Sequence, residues 1–220
     1  MSILADSAPL AWPPVAATIA IGAAAASAIS LLALHVLSPE FDPSWRMISE
    51  YANGQYGWLL TVLFVTWAVA SWALAVAVMP IWATWLGRFG LLFLVFAGVG
   101  EMMGGIFDLN HRLHGMAFAI GVPSLTLAAV LVTLALRRNG VDIPMWPAHL
   151  SWISFVLMAV SMALFIASLA RVGIDVAAQT GPLAQLPEGV TAYNGWANRL
   201  LVGASYLWLI AAARLVLRGV

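Results

Sequence analysis

Read for runs of apolar residues, the chain divides into six stretches, each close to the roughly 20 residues a helix needs to cross the hydrocarbon of a bilayer. They run from about Trp12 to Leu37, Gly57 to Met79, Gly87 to Phe107, His114 to Leu136, Pro147 to Ala170 and Trp196 to Leu217. Inside them the apolar residues are continuous rather than alternating, so the strand period is missing and helices are predicted. Pro13 and Pro14 fit the first turn of the first helix, Pro80 ends the second, and Pro123 is expected to kink the fourth. The predicted fold class is all-α: a bundle of six transmembrane helices forming one integral membrane domain over residues 1–220.

The polar positions fall between these stretches. Two connections are short, Pro80 to Leu86 and Arg137 to Trp146, and two are long, Ser38 to Tyr56 and Arg171 to Gly195. The second long one carries turn chemistry at Gln179-Thr180-Gly181-Pro182 and Pro187-Glu188-Gly189. The first is rich in aromatics, and Trp45 to Tyr51 is expected to form a short interfacial helix capped by Ser44. No lysine or arginine precedes Arg46, so the first stretch lacks the basic flank of a secretory signal and is expected to be retained as a helix.

Composition reinforces the membrane reading. Hydrophobic residues make up 63% of the 220 positions and charged residues only 8%, whereas a soluble domain carries roughly a quarter charged. The absence of cysteine excludes thiolate metal sites, disulfides and thiol-attached cofactors, and the absence of lysine excludes Schiff-base chemistry. No cofactor is assigned beyond these exclusions. No basic cluster points to nucleic acid; the partners expected are membrane lipid and, through glycine- and tryptophan-rich faces, a membrane protein or a second copy of the chain.

With both termini inside, the inner side carries Arg88, Arg137, Arg138, Arg214 and Arg218, and the Arg137-Arg138 pair in a short loop favours this orientation. Seven of the nine acids and three of the four histidines then lie toward the outer end. Glu101 stands out. It lies about two turns inside the third helix, where an ionisable group is costly and usually faces the bundle interior or a water-filled cavity. Asp108 follows seven residues later, which places both carboxylates on one helix face with Gly104 and Gly105 between them. Arg199, in the first turn of the sixth helix, is expected to pair with Glu101, Asp108 or Glu50.

Glu101, Asp108, His111 and His114 are therefore the candidates for catalytic chemistry, and Asp108 with His111 and His114 for a metal. Histidines three apart can share a helix face, and a carboxylate with water can complete a zinc shell. The spacing is common, however, and hydrogen-bonding loop histidines are the simpler reading. A haem held by His35 with His111 or His114 has still less support, since nothing in the sequence opposes the imidazoles.

The run Ile48-Ser49-Glu50-Tyr51-Ala52-Asn53-Gly54-Gln55-Tyr56-Gly57-Trp58-Leu59 resembles a bacterial membrane family known as domain of unknown function 998. The likeness extends to Gly105-Ile106-Phe107-Asp108, His114-Gly115, Asn198-Arg199 and Trp208, and departs from the family pattern in lacking a proline between Phe107 and Asp108 and in a shortened loop before His114. The resemblance implies a six-helix membrane fold in a bacterial inner membrane. It points to Glu50, Asp108, His114 and Arg199, and with them Tyr51, Trp58 and Asn198 are candidate binding residues. It implies no activity. Three functions follow, in descending order of support: a lipid- or partner-binding membrane protein, an intramembrane lipid-modifying enzyme using Glu101 or Asp108 with His111 or His114, and a proton-coupled carrier using Glu101.

Overall fold

The computed structural model describes residues 12–175 and 181–218. Its helices are α1 (Trp12–Leu37), α2 (Gly57–Ala77), α3 (Trp85–Ile106), α4 (His114–Arg138), α5 (Trp146–Arg171) and α6 (Asn194–Leu217), with single 3-10 turns at Ile48–Asn53 and Met79–Ala83. All six are long and apolar enough to cross a membrane. The chain is an all-helical, multi-pass integral membrane protein. Asp6, Gln179 and Thr180 lie outside the described residues.

Helix ends follow local chemistry. Thr84 Oγ1 accepts the Gly87 N–H at 3.0 Å and starts α3. Gly140 and Gly173, both at φ near +80°, close α4 and α5. After α4 the Val141 N–H reaches the Leu136 carbonyl at 3.1 Å and the Gly140 N–H the Arg137 carbonyl at 3.0 Å. The same pair of bonds recurs after α5, from Ile174 to Leu169 and from Gly173 to Ala170. This doubly bonded exit needs a left-handed residue, which glycine supplies without a Cβ penalty. Pro123 lies inside α4, which continues through it as one helix.

The helices form a ring in chain order, closed by α1 against α6, with α2 also reaching α6 across the middle. Small residues set the spacing. A Cβ added to Gly100 would fall inside the backbone of Gly121, so α3 and α4 cross with their main chains in contact. Polar bonds tie other pairs: the Ser27 and Tyr206 hydroxyls lie 2.7 Å apart, and Trp208 Nε1 donates to Thr133 Oγ1 at 3.1 Å. Helix α5 is the most exposed of the six and presents Trp152, Val156, Val160 and Leu164 outward. In lipid such a surface is the expected exterior.

Three sequence expectations change at the ends of elements. Helix α3 stops at Ile106, so Asp108 sits past the helix rather than one face along from Glu101. Helix α6 begins at Asn194, two residues before the expected Trp196. The interfacial helix is displaced to a 3-10 turn over Ile48–Asn53, and Ser44 does not cap it. Instead the Ser44 N–H donates to Asp42 Oδ1 at 2.8 Å and makes an Asx turn at Pro43.

Candidate functional site

The connections 38–56 and 107–113 and the described residues 172–175 and 181–193 meet at one end of the bundle, and the polar side chains there divide into two groups. The first fastens the 38–56 connection onto α6. Gly195 makes this possible: a side chain there would collide with the Pro43 carbonyl. Beside it Asn194 Nδ2 donates to the Trp45 carbonyl at 2.7 Å, and Asn198 Oδ1 accepts the Ile48 N–H at 2.9 Å.

Arg199, 9% exposed, completes this fastening. Its Nε donates to His35 Nε2 at 2.7 Å; its terminal nitrogens reach the Arg46 carbonyl at 2.6 Å, the Gly195 carbonyl at 3.1 Å and the Tyr51 hydroxyl at 3.2 Å. His35 is held in the matching tautomer. Its Nδ1 lies 2.7 Å from the Leu31 carbonyl, which only accepts, so Nδ1 carries the proton and Nε2 is the acceptor that Arg199 uses. All four partners of Arg199 are neutral, and none of the three acids expected to pair with it does so. Glu50 is taken by Arg46, at 2.6 Å, and also accepts the Met47 N–H at 2.8 Å. The reason is local: the pair is i, i+4 within one connection, whereas Arg199 points from α6 at the main chain of that connection. Arg46 also stacks on Trp45 at 4.1 Å. Outside the spanning segments, the Ser44 N–H holds the Asp42 carboxyl below the ordinary carboxylate range.

The second group surrounds Glu101, 5% exposed on α3. Its Oε2 accepts from Ser71 Oγ of α2 at 2.7 Å, while Oε1 is buried with no hydrogen-bond partner among the described residues. Glu101 lines a cavity of about 70 Å³ between α2, α3, α4 and α6. Phe64 and Trp67 of α2, Leu201 and Val202 of α6 supply its apolar walls, and Asn198 and His114 its polar ones. Met47, Ile48 and Ser49 of the fastened connection form its roof. The indole Nε1 of Trp67, a residue 4% exposed, is likewise buried and unpartnered. Two unsatisfied polar atoms, one acceptor and one donor, thus belong to residues lining one cavity. Buried polar groups in folded proteins are nearly all paired, so two orphans at one place require a reason.

A family of proteins of unknown function (DUF998) matches residues 20–215. The chain belongs to this family. No curated protein and no solved structure matches the chain. The matched span takes in both polar groups, so the α6 fastening and the Glu101 cavity lie within the part of the chain that defines membership. The family's description names no reaction, and any function has to be argued from these side chains.

The remaining sequence candidates lie apart from the cavity or are engaged elsewhere. Asp108 is exposed, and its Oδ1 accepts the Asn110 N–H at 2.9 Å. Asn110 in turn donates to Asn53 Oδ1 at 2.9 Å and ties the 107–113 connection to the 3-10 turn. Trp58, 62% exposed, lines with Asp108 a separate cleft of about 170 Å³. His111 is exposed, stacks on Phe107 at 4.5 Å and accepts the Leu113 N–H at 3.2 Å. His114 Nδ1 lies 2.9 Å from the Phe107 carbonyl, and its ring borders the cavity. Among the described residues no group of three or more His, Asp or Glu side chains is arranged to hold a metal ion. His35, considered above as a haem ligand, spends Nε2 on Arg199 and Nδ1 on Leu31.

Sequence reasoning reached Glu101, Glu50, Tyr51, Asn198 and Arg199 but missed Ser71, Trp67, Asn194 and the tie between Arg199 and His35. Serine and tryptophan inside an apolar run carry no periodic signal that separates a site from packing. Asn194 and Asn198, one helical turn apart at the start of α6, were the legible cue to a fastening face.

Proposed function

We propose that this protein binds a membrane lipid or another small amphiphile inside the bundle, with Glu101 as the polar anchor of the site. One observation carries this reading: Glu101, a carboxyl group buried in the bundle with one oxygen unpartnered among the described residues, lines a largely apolar cavity. A carboxyl group used only to lock two helices would be expected to spend both oxygens on the protein, since leaving one unpaired in low dielectric is costly. Phe118, 41% exposed, and half-buried Val122 also border the cavity, which gives it a route to the lipid-facing flank of α4. Concave sites of this kind, apolar walls with a few convergent polar groups, are the usual form of small-molecule sites between helices. The same reading puts both termini on the cytoplasmic side of a bacterial inner membrane, supported by Arg137 and Arg138 in a short connection. Reporter fusions at the two termini test that orientation.

The test of binding uses protein purified in mild detergent from native membranes, extracted and examined by mass spectrometry. The expected result is an amphiphile near one per chain, lost in Val122→Trp, which fills the cavity mouth. If the wild-type protein carries nothing that Val122→Trp lacks, the binding reading falls.

A further inference from the structure

We infer that the polar end of the ligand is an uncharged hydroxyl group. This inference rests on the binding reading above and adds the chemical class. The two unpartnered atoms ask for a group that can both donate and accept. Glu101 Oε1 needs a donor if the group is a carboxylate and can use an acceptor if it is a carboxylic acid, while Trp67 Nε1–H needs an acceptor. They do not bond one another. An ammonium group would satisfy Glu101 and confront Trp67 with a second donor. A phosphate or carboxylate would satisfy Trp67 but would bring a full negative charge into a largely apolar cavity beside the Glu101 carboxyl group. A hydroxyl both donates and accepts, so it meets the two demands at once.

The rest of the cavity agrees. Asn198 uses Oδ1 on the Ile48 N–H, and its amide N–H₂ makes no hydrogen bond among the described residues, which offers a donor to a further hydroxyl oxygen. No arginine lines the cavity: Arg199, one residue from Asn198, spends its guanidinium on His35, Tyr51 and two main-chain carbonyls. A phosphate would meet no fixed cation there, only the His114 ring, whose Nδ1 is turned to the Phe107 carbonyl. Phe64, Leu201 and Val202 provide apolar surface for the carbon next to the hydroxyl, and the opening past Phe118 leads the chain toward lipid. The cavity of about 70 Å³ admits a hydroxymethyl-sized end and not a whole lipid. The bulk of the molecule thus stays in the bilayer while its hydroxyl end enters the bundle.

The experiment places the full-length protein in nanodiscs of phosphatidylcholine, whose headgroup has no hydroxyl. Three probes of equal chain length are titrated: 1-dodecanol, its methyl ether and dodecylamine. The ligand-dependent rise in unfolding temperature gives apparent affinities. The alcohol is expected to bind about tenfold more tightly than the ether or the amine, the ratio for leaving one buried polar group unpaired. Glu101→Leu removes the acceptor and should bring alcohol and ether to equal affinity. Trp67→Phe keeps the ring and removes the donor, so it should weaken alcohol and ether alike; it serves as the independent variant if Glu101→Leu does not fold. If the amine matches or exceeds the alcohol, or the ether equals the alcohol in the wild type, the hydroxyl assignment is wrong while the binding reading stands. If none of the three binds and no native amphiphile is retained, both fall.

Discussion

Replacing Arg199 with methionine keeps the length and the apolar stem of the side chain and deletes its donors. The guanidinium serves four acceptors, but they do not count equally. The Gly195 carbonyl lies one turn back in the same helix, and the Tyr51 hydroxyl can rotate to another partner. His35 Nε2 and the Arg46 carbonyl, at 2.7 and 2.6 Å, have no such alternative. Each buried acceptor left unsatisfied costs about 1–3 kcal/mol, so the variant should lose roughly 2–6 kcal/mol. For a chain of this size that corresponds to a drop in Tm on the order of 10 °C. Thermal unfolding in detergent reads the total, and amide hydrogen exchange over residues 44–53 reads its location. The Ile48 N–H, bonded to Asn198, should exchange faster although its own acceptor is intact. Arg199→Lys should recover less than half of the loss, because a point charge cannot reach both acceptors in the geometry of the fork. An unfolding temperature within about 1 °C of wild type, with exchange over residues 44–53 unchanged, would refute the claim that Arg199 fastens this connection.

Gly100→Ala should cost about 2 kcal/mol or more in the same unfolding assay, because its Cβ meets the Gly121 main chain and not a movable side chain. Gly22→Ala, with open space at that position, should be neutral or stabilising by roughly 0.5–1 kcal/mol, and the contrast between the two separates close approach from helix propensity. Tyr206→Phe should cost about 1 kcal/mol, since Ser27 keeps its bond to the Leu63 carbonyl; a loss above about 3 kcal/mol would mean the hydroxyl does more than join α1 to α6. The Asp42 carboxyl should titrate below the ordinary value of 3.8 when followed by NMR. Since the folded value is the lower one, whatever Asp42 adds to stability is complete above the ordinary value and is lost as pH falls through the depressed one. Asp42→Asn should abolish that dependence.

The six spans were legible because lipid imposes a simple rule: the backbone must satisfy itself over about 20 residues, and apolar length alone reports it. Side-chain direction was not legible to the same degree. The seven-residue spacing of Glu101 and Asp108 implied a common face only if the helix ran through both, and it ends at Ile106. The expectation that Arg199 would find an acid weighed charge against charge and overlooked the main chain. A connection lying across a helix end offers carbonyls at close range, and a guanidinium with five donors is suited to collect them. His35 was visible as a histidine near the end of α1, yet its role depends on α6 returning beside α1, a closure of the ring that no local pattern records.

The distribution of polar groups at this end carries a physical consequence. Arg46 and Glu50 neutralise one another, Arg199 is surrounded by neutral acceptors, and Asn194 and Asn198 are committed through one atom each to the 38–56 connection. Arg199, Asn194 and Asn198 hold the connection at Arg46, Trp45 and Ile48, on either side of and within the stretch Met47 to Ser49 that lies over the cavity. Glu101, beneath that roof, receives one serine hydroxyl and no other hydrogen bond among the described residues. Had selection needed only a rigid bundle, an alanine at this position would have avoided the desolvation of a carboxyl group altogether, because replacing a buried polar group by an apolar one is often neutral or stabilising. On the proposed binding reading, the cost of a buried carboxyl group under a secured roof, with an indole N–H in the wall unpartnered among the described residues, is offset when a third group enters to satisfy both.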